Sequence, residues 1–284
     1  MATILKGAPV VAAMNERNAA LCEQLKAKGI TPTLAVVRVG EREDDLSYER
    51  GVMTRCGKVG VAVRQFVLPA DATQEQLLRV LDEVNTDDGI HGCLLFRPLP
   101  KQFDDRTVRA ALRPEKDIDG ITDGSLAGVF TNTDLGYAPC TAQACMEILK
   151  YYNVPLSGKR AVVVGRSLVV GKPAAMMLLG KNATVTVCHT KTRDVASIAR
   201  EADILVSAAG VLRSLTKEYV RPGQVVIDVS INWDEAKGGI AGDAVYDEVE
   251  PIVEAITPVP GGVGSVTTSV LMKHVVEAAK RSGT

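Results

Sequence analysis

The run Val162-Val163-Val164-Gly165-Arg166-Ser167-Leu168-Val169-Val170-Gly171-Lys172-Pro173 reads as a buried strand, a glycine turn and the start of a helix. Consecutive valines without polar alternation suit a parallel strand covered on both faces. Pro173 fits the first turn of a helix, where its missing N–H is no loss. Such a turn lets a phosphate approach backbone N–H groups at a helix N-terminus. The two glycines are six residues apart, so this is not G-x-G-x-x-G, and a purely structural strand-to-helix turn is the alternative. The next strand ends at Cys188-His189-Thr190-Lys191-Thr192-Arg193, where an NAD-binding unit usually places Asp or Glu on the ribose 2′-hydroxyl. No acid stands there. Lys191, Arg193 and Arg166 could instead gather positive charge, with Thr190 offering a hydroxyl, a combination that favours the 2′-phosphate of NADP. The plainer reading is that Lys191 and Arg193 solvate a loop.

Working outward, further strands are predicted at 33–39, 61–68, 92–96, 160–165, 183–188, 203–208 and 224–229. Helical spacing lies at 10–28, 44–58, 73–86, 104–112, 141–152, 171–180 and 267–282. Alternation of this kind is an α/β pattern. At roughly 100–200 residues per domain, 284 residues suggest two domains. The stretch 117–139 is rich in Gly, Asp, Thr and Asn and has no long periodic segment, which places a boundary near 138. Hydrophobic residues make up 46% and charged residues 24%, so the chain is not disordered. Thirty-three Lys and Arg against 34 Asp and Glu argue against a general nucleic-acid binder. No apolar run reaches the roughly 18 residues of a membrane span, and the N-terminal stretch reads as the start of an amphipathic helix rather than a signal peptide. Six scattered cysteines and three histidines lack metal-ligand spacing, so no metal is expected and the cysteines read as free thiols in a reducing cytoplasm.

Two more segments carry chemistry. Thr257-Pro258-Val259-Pro260-Gly261-Gly262-Val263-Gly264 is a fixed loop that permits close backbone approach. It is either a structural turn or a ligand loop. In Lys116-Asp117-Ile118-Asp119-Gly120 the two acids are either a cap and turn or, in one case, a carboxylate for an amino-pyrimidine edge with its paired donors.

Taken together and in this order, these segments resemble the methylenetetrahydrofolate dehydrogenase/methenyltetrahydrofolate cyclohydrolase family over essentially the whole chain. Ile4-Leu5-Lys6-Gly7, Leu34–Gly40, Pro98-Leu99-Pro100 and Pro139-Cys140-Thr141 add to the likeness. The resemblance implies two α/β domains with an interdomain cleft, the C-terminal one a Rossmann-like parallel sheet. A folate-binding catalytic domain is expected at 1–138 with 267–284, and an NADP-binding domain at 139–266. It implies a tetrahydrofolate substrate, NADP (or NAD) as cofactor, and a cytoplasmic homodimer with neither nucleic acid nor membrane as partner. By position, Tyr48 and Asp119 are the catalytic and substrate-binding residues, with Pro260, Gly261 and Gly262 also on the substrate. Gly165, Arg166, Ser167, Gly171, His189, Thr190, Ile231 and Thr267 are the cofactor-binding residues.

The chain departs from the family pattern where it matters chemically. The folate motif Y-x-x-x-K reads Tyr48-Glu49-Arg50-Gly51-Val52, and the V-Q-L-P-L-P glutamine is Phe96. The family's serine three residues before the tyrosine is Asp45, P-C-T-P reads on to Ala142, and G-V-G-P-M-T ends Gly264-Ser265-Val266-Thr267. Arg55, one turn on, stays charged at neutral pH and is a poor proton shuttle. Hydride transfer needs two ring systems positioned, not a protein base. Ring opening by water needs proton transfers, and the family lysine is placed for them. The expectation is therefore an NADP-dependent methylenetetrahydrofolate dehydrogenase with weak or absent cyclohydrolase activity. The alternatives are the full bifunctional enzyme, a non-catalytic folate or nucleotide binder, and a hydroxy-acid dehydrogenase. Val52 and Phe96 are otherwise walls for a somewhat different folate.

Overall fold

A computed structural model describes residues 1–283. In chain order its elements are β1 (Thr3–Ile4), α1 (Gly7–Lys26), β2 (Thr33–Val39), α2 (Glu43–Val59), β3 (Ala62–Leu68), α3 (Gln74–Thr86), β4 (Gly92–Leu95), α4 (Asp105–Ala111), α5 (Asp123–Thr131) and α6 (Cys140–Tyr151). There follow β5 (Arg160–Val164), α7 (Gly171–Leu179), β6 (Thr184–Cys188), α8 (Val195–Arg200), β7 (Ile204–Ser207), β8 (Val225–Asp228), β9 (Asn232–Asp234), β10 (Gly239–Ala241), α9 (Tyr246–Val249), β11 (Ala255–Ile256) and α10 (Val263–Ser282). The chain divides into two compact units, one of residues 1–12 with 141–267 and one of residues 13–140 with those from 268 onward.

The first unit is built on a six-stranded, all-parallel sheet in the order β1-β11-β8-β7-β5-β6. Strands β7 and β8 are buried along their whole length, as unbroken apolar runs in a parallel sheet should be. Val162, Leu205, Val226 and Ile256 from four strands meet Ala199 of α8 and Val249 of α9 in its core. Complete burial of such an aliphatic side chain is worth about 1.5–3 kcal/mol. The chain runs from β5 outward to β6 and then crosses back to β7 on the other side of β5. That reversal between β5 and β7 is where an open α/β sheet leaves a crevice at its carboxyl ends.

The second unit holds a three-stranded parallel sheet, β3-β2-β4. All seven residues of the central β2 are buried. Its core joins Ala35 and Val37 to Leu77 and Leu81 of α3, Cys93 and Leu95 of β4, and Val108 of α4.

Three expectations are corrected. Residues 1–12 do not belong with the N-terminal unit, because Thr3–Ile4 pair with Ala255–Ile256 and extend the other sheet. A two-residue strand has no period to read. The stretch 117–139 contains α5, whose buried positions include Ser125 and Gly128 rather than an apolar stripe. A Cβ on Gly128 would lie 2.0 Å from the Leu135 carbonyl oxygen, so the helix packs through its lack of side chains. Finally, α10 begins at Val263 and not near 267, so Val263 and Gly264 belong to it and the preceding loop ends at Gly262.

Candidate functional site

In the first unit the turn between β5 and α7 packs tightly on itself and on the loop after β7. Gly165 has φ +121°, and a Cβ there would lie 2.2 Å from the Ala208 carbonyl oxygen. Gly171 opens α7 against it, since a Cβ on Gly171 would lie 2.2 Å from the Gly165 carbonyl oxygen. Ser167 Oγ closes the loop, accepting from the N–H of Val170 (3.1 Å) and Gly171 (3.4 Å). Beside it, at the β5–β7 reversal, lies a cavity of about 360 Å³ whose walls include Gly165, Arg166, Ser167, His189, Thr190, Ser207 and Ala208. Both glycines are required because a side chain at either would strike backbone, of Ala208 or of Gly165.

The loop after β6 is ordered by its own side chains. His189 N–H donates to Thr192 Oγ1 (2.9 Å), and Lys191 N–H donates to His189 Nδ1 (3.1 Å). The neutral imidazole therefore carries its proton on Nε2, as a donor. Of the three cations expected to gather, Arg166 lines the cavity, whereas Lys191 and Arg193 are exposed and do not. Ile231 and Thr267 also lie outside its walls. Ile231 abuts the start of α10, where a Cβ on Gly264 would meet its Cδ1 at 2.9 Å, and Thr267 Oγ1 donates to the Gly264 carbonyl.

The proline–glycine loop is pinned at both ends. Thr257 Oγ1 accepts from Asp228 N–H (2.8 Å) and donates to the Asp228 carbonyl (3.1 Å). Gly261, at φ +93°, accepts from Gly7 N–H at 2.8 Å. A Cβ on Gly262 would lie 2.4 Å from the Pro258 carbonyl oxygen, and Ser265 Oγ donates to the Gly262 carbonyl. The Val259–Pro260 bond is cis.

Sequence reading missed the group that ties the segment after β7 to the one after β8. Asp243 is fully buried. Its Oδ2 accepts from Ser207 Oγ (2.9 Å), Ala209 N–H (2.9 Å) and Ser230 Oγ (2.8 Å), and its Oδ1 from Val211 N–H (2.9 Å) and Asn232 Nδ2 (3.3 Å). The neighbouring Asp228 accepts the Asp243 and Ala244 N–H groups, and burial, with Asp243 beside it, pushes its carboxyl up to about 6.

In the second unit Tyr48 projects from α2 and is 44% exposed. Its ring meets Phe96 edge-on, with centroids 5.7 Å apart. Val52 belongs to the buried stripe Glu49, Val52, Cys56, Val59 of that helix and is 0% exposed, and Phe96 is 7% exposed. Position 52 is thus an interior site. Tyr48's hydroxyl is pushed up by burial and then by Asp119.

The structure separates the two acids at 117 and 119. Asp117 is a cap, accepting from Ile121 N–H (3.0 Å), Thr122 N–H (2.7 Å) and Ser125 Oγ (2.7 Å). Lys116 Nζ donates to the carbonyls of Val84 and Asp87, both at 2.6 Å. Asp119 takes no part in that turn. Burial pushes its carboxyl up to about 6, against the hydrogen bond from the Cys140 thiol and the attraction of Arg97. All six cysteines are buried and free, and burial raises each thiol, which makes them inert. Tyr48 and Asp119 belong to this unit, Pro260, Gly261 and Gly262 to the other.

Comparison with known proteins agrees with both halves. Residues 5–119 match the tetrahydrofolate dehydrogenase/cyclohydrolase catalytic domain, and residues 139–283 match the NAD(P)-binding domain of the same family. The bifunctional protein FolD of Carboxydothermus hydrogenoformans is 52% identical, over 99% of this chain and 98% of that one. The crystal structure of the bifunctional FolD methylenetetrahydrofolate dehydrogenase/cyclohydrolase of Campylobacter jejuni superposes with a TM-score of 0.95 at 36% identity, over 99% of both chains. That of the Trypanosoma brucei enzyme, complexed with NADP cofactor and inhibitor, gives 0.90 at 34% identity, over 99% of this chain and 98% of that one. With both domains matched in sequence and in fold, the chain belongs to the tetrahydrofolate dehydrogenase/cyclohydrolase family and carries its NAD(P)-binding domain.

Proposed function

We propose that the protein is a 5,10-methylenetetrahydrofolate dehydrogenase that uses NADP and opens the methenyl ring weakly or not at all. The observation that carries this is the apolar wall beside Tyr48, where Val52 and Phe96 stand in place of the family's lysine and glutamine. Neither can carry a proton. NADP, when bound, accepts the hydride from the methylene carbon. The chain's own work is to hold and orient: Tyr48 lies along the folate rings, Asp119 accepts from the paired amino-pyrimidine donors, and the Gly165–Gly171 turn receives the phosphates. Arg166, with His189 Nε2–H and the Thr190 hydroxyl, favours a 2′-phosphate, and the missing acid after β6 removes the usual partner of NAD. Changing Arg166 to serine should raise the KM for NADP about tenfold while leaving that for NAD nearly unchanged, as loss of a charge-assisted phosphate contact predicts.

Asp119 gives the site a pH signature. With its carboxyl at about 6, it is ionised above that pH and protonated below. A protonated carboxyl presents a donor to donors. The kcat/KM for methylenetetrahydrofolate should fall as pH drops through about 6, and Asp119→Asn should flatten that limb while lowering the plateau. A wild-type profile level from pH 7 to 5 would contradict the assignment.

The full bifunctional enzyme is the second reading. Two points favour it: relatives at 52% and 48% identity are named as bifunctional, and burial pushes the carboxyl of Asp119, near Tyr48, up to about 6. Two absorbance assays decide. One follows NADP reduction with methylenetetrahydrofolate, and the other follows methenyltetrahydrofolate alone after subtracting spontaneous hydrolysis. The homodimer and the cytoplasmic location also belong to this proposal. The β9–β10 hairpin, with exposed Trp233 opposite Ile240, supports the first, and six unpaired thiols support the second. Among the described residues no helix is long and apolar enough to cross a membrane.

A further inference from the structure

Helix α2 carries Tyr48, and three acids, Glu43, Asp44 and Asp45, favour its first turn, but no side chain caps it. Arg42 at the N-cap makes no capping hydrogen bond. Gly51 and Gly57 lie within the helix and weaken it, and a Cβ at either would meet nothing within 4 Å, so close packing does not require them. Some other contact must fix the helix if Tyr48 is to keep its edge-on place against Phe96.

We propose that Arg38, Glu49 and Gln65 are positioning residues that clamp α2 to β2 and so hold Tyr48 in its folate-binding attitude. The inference rests on the folate reading of Tyr48 above. Arg38 and Glu49 are 6% and 5% exposed, and Arg38 Nε donates to Glu49 Oε2 at 2.9 Å. Arg38 Nη1 also donates to the Gly40 carbonyl, at the head of the loop into α2. Gln65 Nε2, from β3, donates to Glu49 Oε1. Glu49 directly follows Tyr48. Phe96 N–H donates to the Val37 carbonyl at 2.9 Å. Consecutive residues of β2 therefore hold both aromatic partners, Val37 through the Phe96 backbone and Arg38 through Glu49. A buried ion pair is seldom the most stable choice, since an apolar pair of similar volume avoids its desolvation. What an apolar pair lacks is direction: it would fill the space without fixing the turn or rotation of the helix.

The test is the double variant Arg38→Met/Glu49→Leu, with Tyr48→Ala as control. The double variant should keep a Tm near that of the wild type while the KM for methylenetetrahydrofolate rises about tenfold or more, the scale of a small misplacement at a binding surface. The KM for NADP should stay within about twofold. A folded double variant with unchanged folate KM overturns the inference. If it does not fold, Gln65→Leu, which removes only the outer hydrogen bond, decides: a folate KM raised with NADP unaffected supports the clamp, and an unchanged one overturns it. If Tyr48→Ala itself leaves the folate KM unchanged, the folate reading fails instead.

Discussion

Val52→Lys combined with Phe96→Gln is expected to raise hydrolysis of 5,10-methenyltetrahydrofolate by about 10²-fold over the wild type, with NADP reduction changed far less. A positioned acid–base group typically contributes 10²–10⁴-fold. The low end applies because both side chains enter an interior shaped for apolar ones. The single Val52→Lys variant should do less. A lysine placed where Val52 is 0% exposed has its ammonium taken out of water. Burial would then favour the neutral amine and push its pKa down. Glutamine at 96 supplies an oxygen that accepts from the ammonium and aims it, which is why the two changes should be strongly non-additive. Phe96→Gln alone should give no hydrolysis and should loosen the edge contact with Tyr48, raising the folate KM. Two separate assays on wild type and the three variants check this. A wild type that already opens the ring rapidly, with the double variant no faster, would remove lysine from the account and move the proton traffic to Asp119.

How far the sequence reveals this depends on how local each signal is. The strand-turn-helix at 160–173 is legible because Val162–Val164 is an unbroken apolar run and Gly165 and Gly171 bracket a turn that no other residue fits. That residue 52 is Val and residue 96 is Phe is legible too, as a fact of sequence. That position 52 is buried is not, because it depends on α2 turning Val52 inward. The pair Asp117 and Asp119 shows the limit plainly. Spacing offers two carboxylates, and only the fold assigns one to the N–H groups of Ile121 and Thr122 and leaves the other to the site. The expected gathering of Lys191 and Arg193 with Arg166 fails for a related reason. His189 and Thr192 close the loop on itself and leave both cations in solvent. Asp243 lies beyond local reading, because its five donors come from loops 11 to 36 residues away.

Asp243→Asn should produce the other large effect, on the nucleotide side. The carboxylate offers only acceptors, and five donors converge on it. An amide replaces one oxygen with an NH2 group, which faces donors that cannot turn away. Ser207 and Ser230 can rotate their hydroxyls to accept, but the N–H groups of Ala209 or Val211 cannot. Each buried donor left unmatched costs about 1–3 kcal/mol, so a fall in Tm on the order of ten degrees is expected for a unit of this size. The functional loss should exceed that. Ala209 and Val211 stand on the wall of the cavity after β7, and Ser230 and Asn232 flank Ile231 after β8. Loosening Asp243 frees both loops at once, whereas Gly165 and Arg166, just after β5, keep their place. NADP should therefore lose affinity about 10²-fold, the scale of a misplaced binding wall, while the folate KM extrapolated to saturating NADP stays near that of the wild type. Thermal shift with and without NADP separates the effects. Wild type should gain stability as NADP concentration rises above its Kd, and Asp243→Asn should start lower and gain little. Ser230→Ala, which removes one of the five donors and takes the Oγ acceptor from the exposed Gly210 N–H, should fall between them. An Asp243→Asn protein with the wild-type NADP-induced shift would mean that the loops hold their shape without the carboxylate.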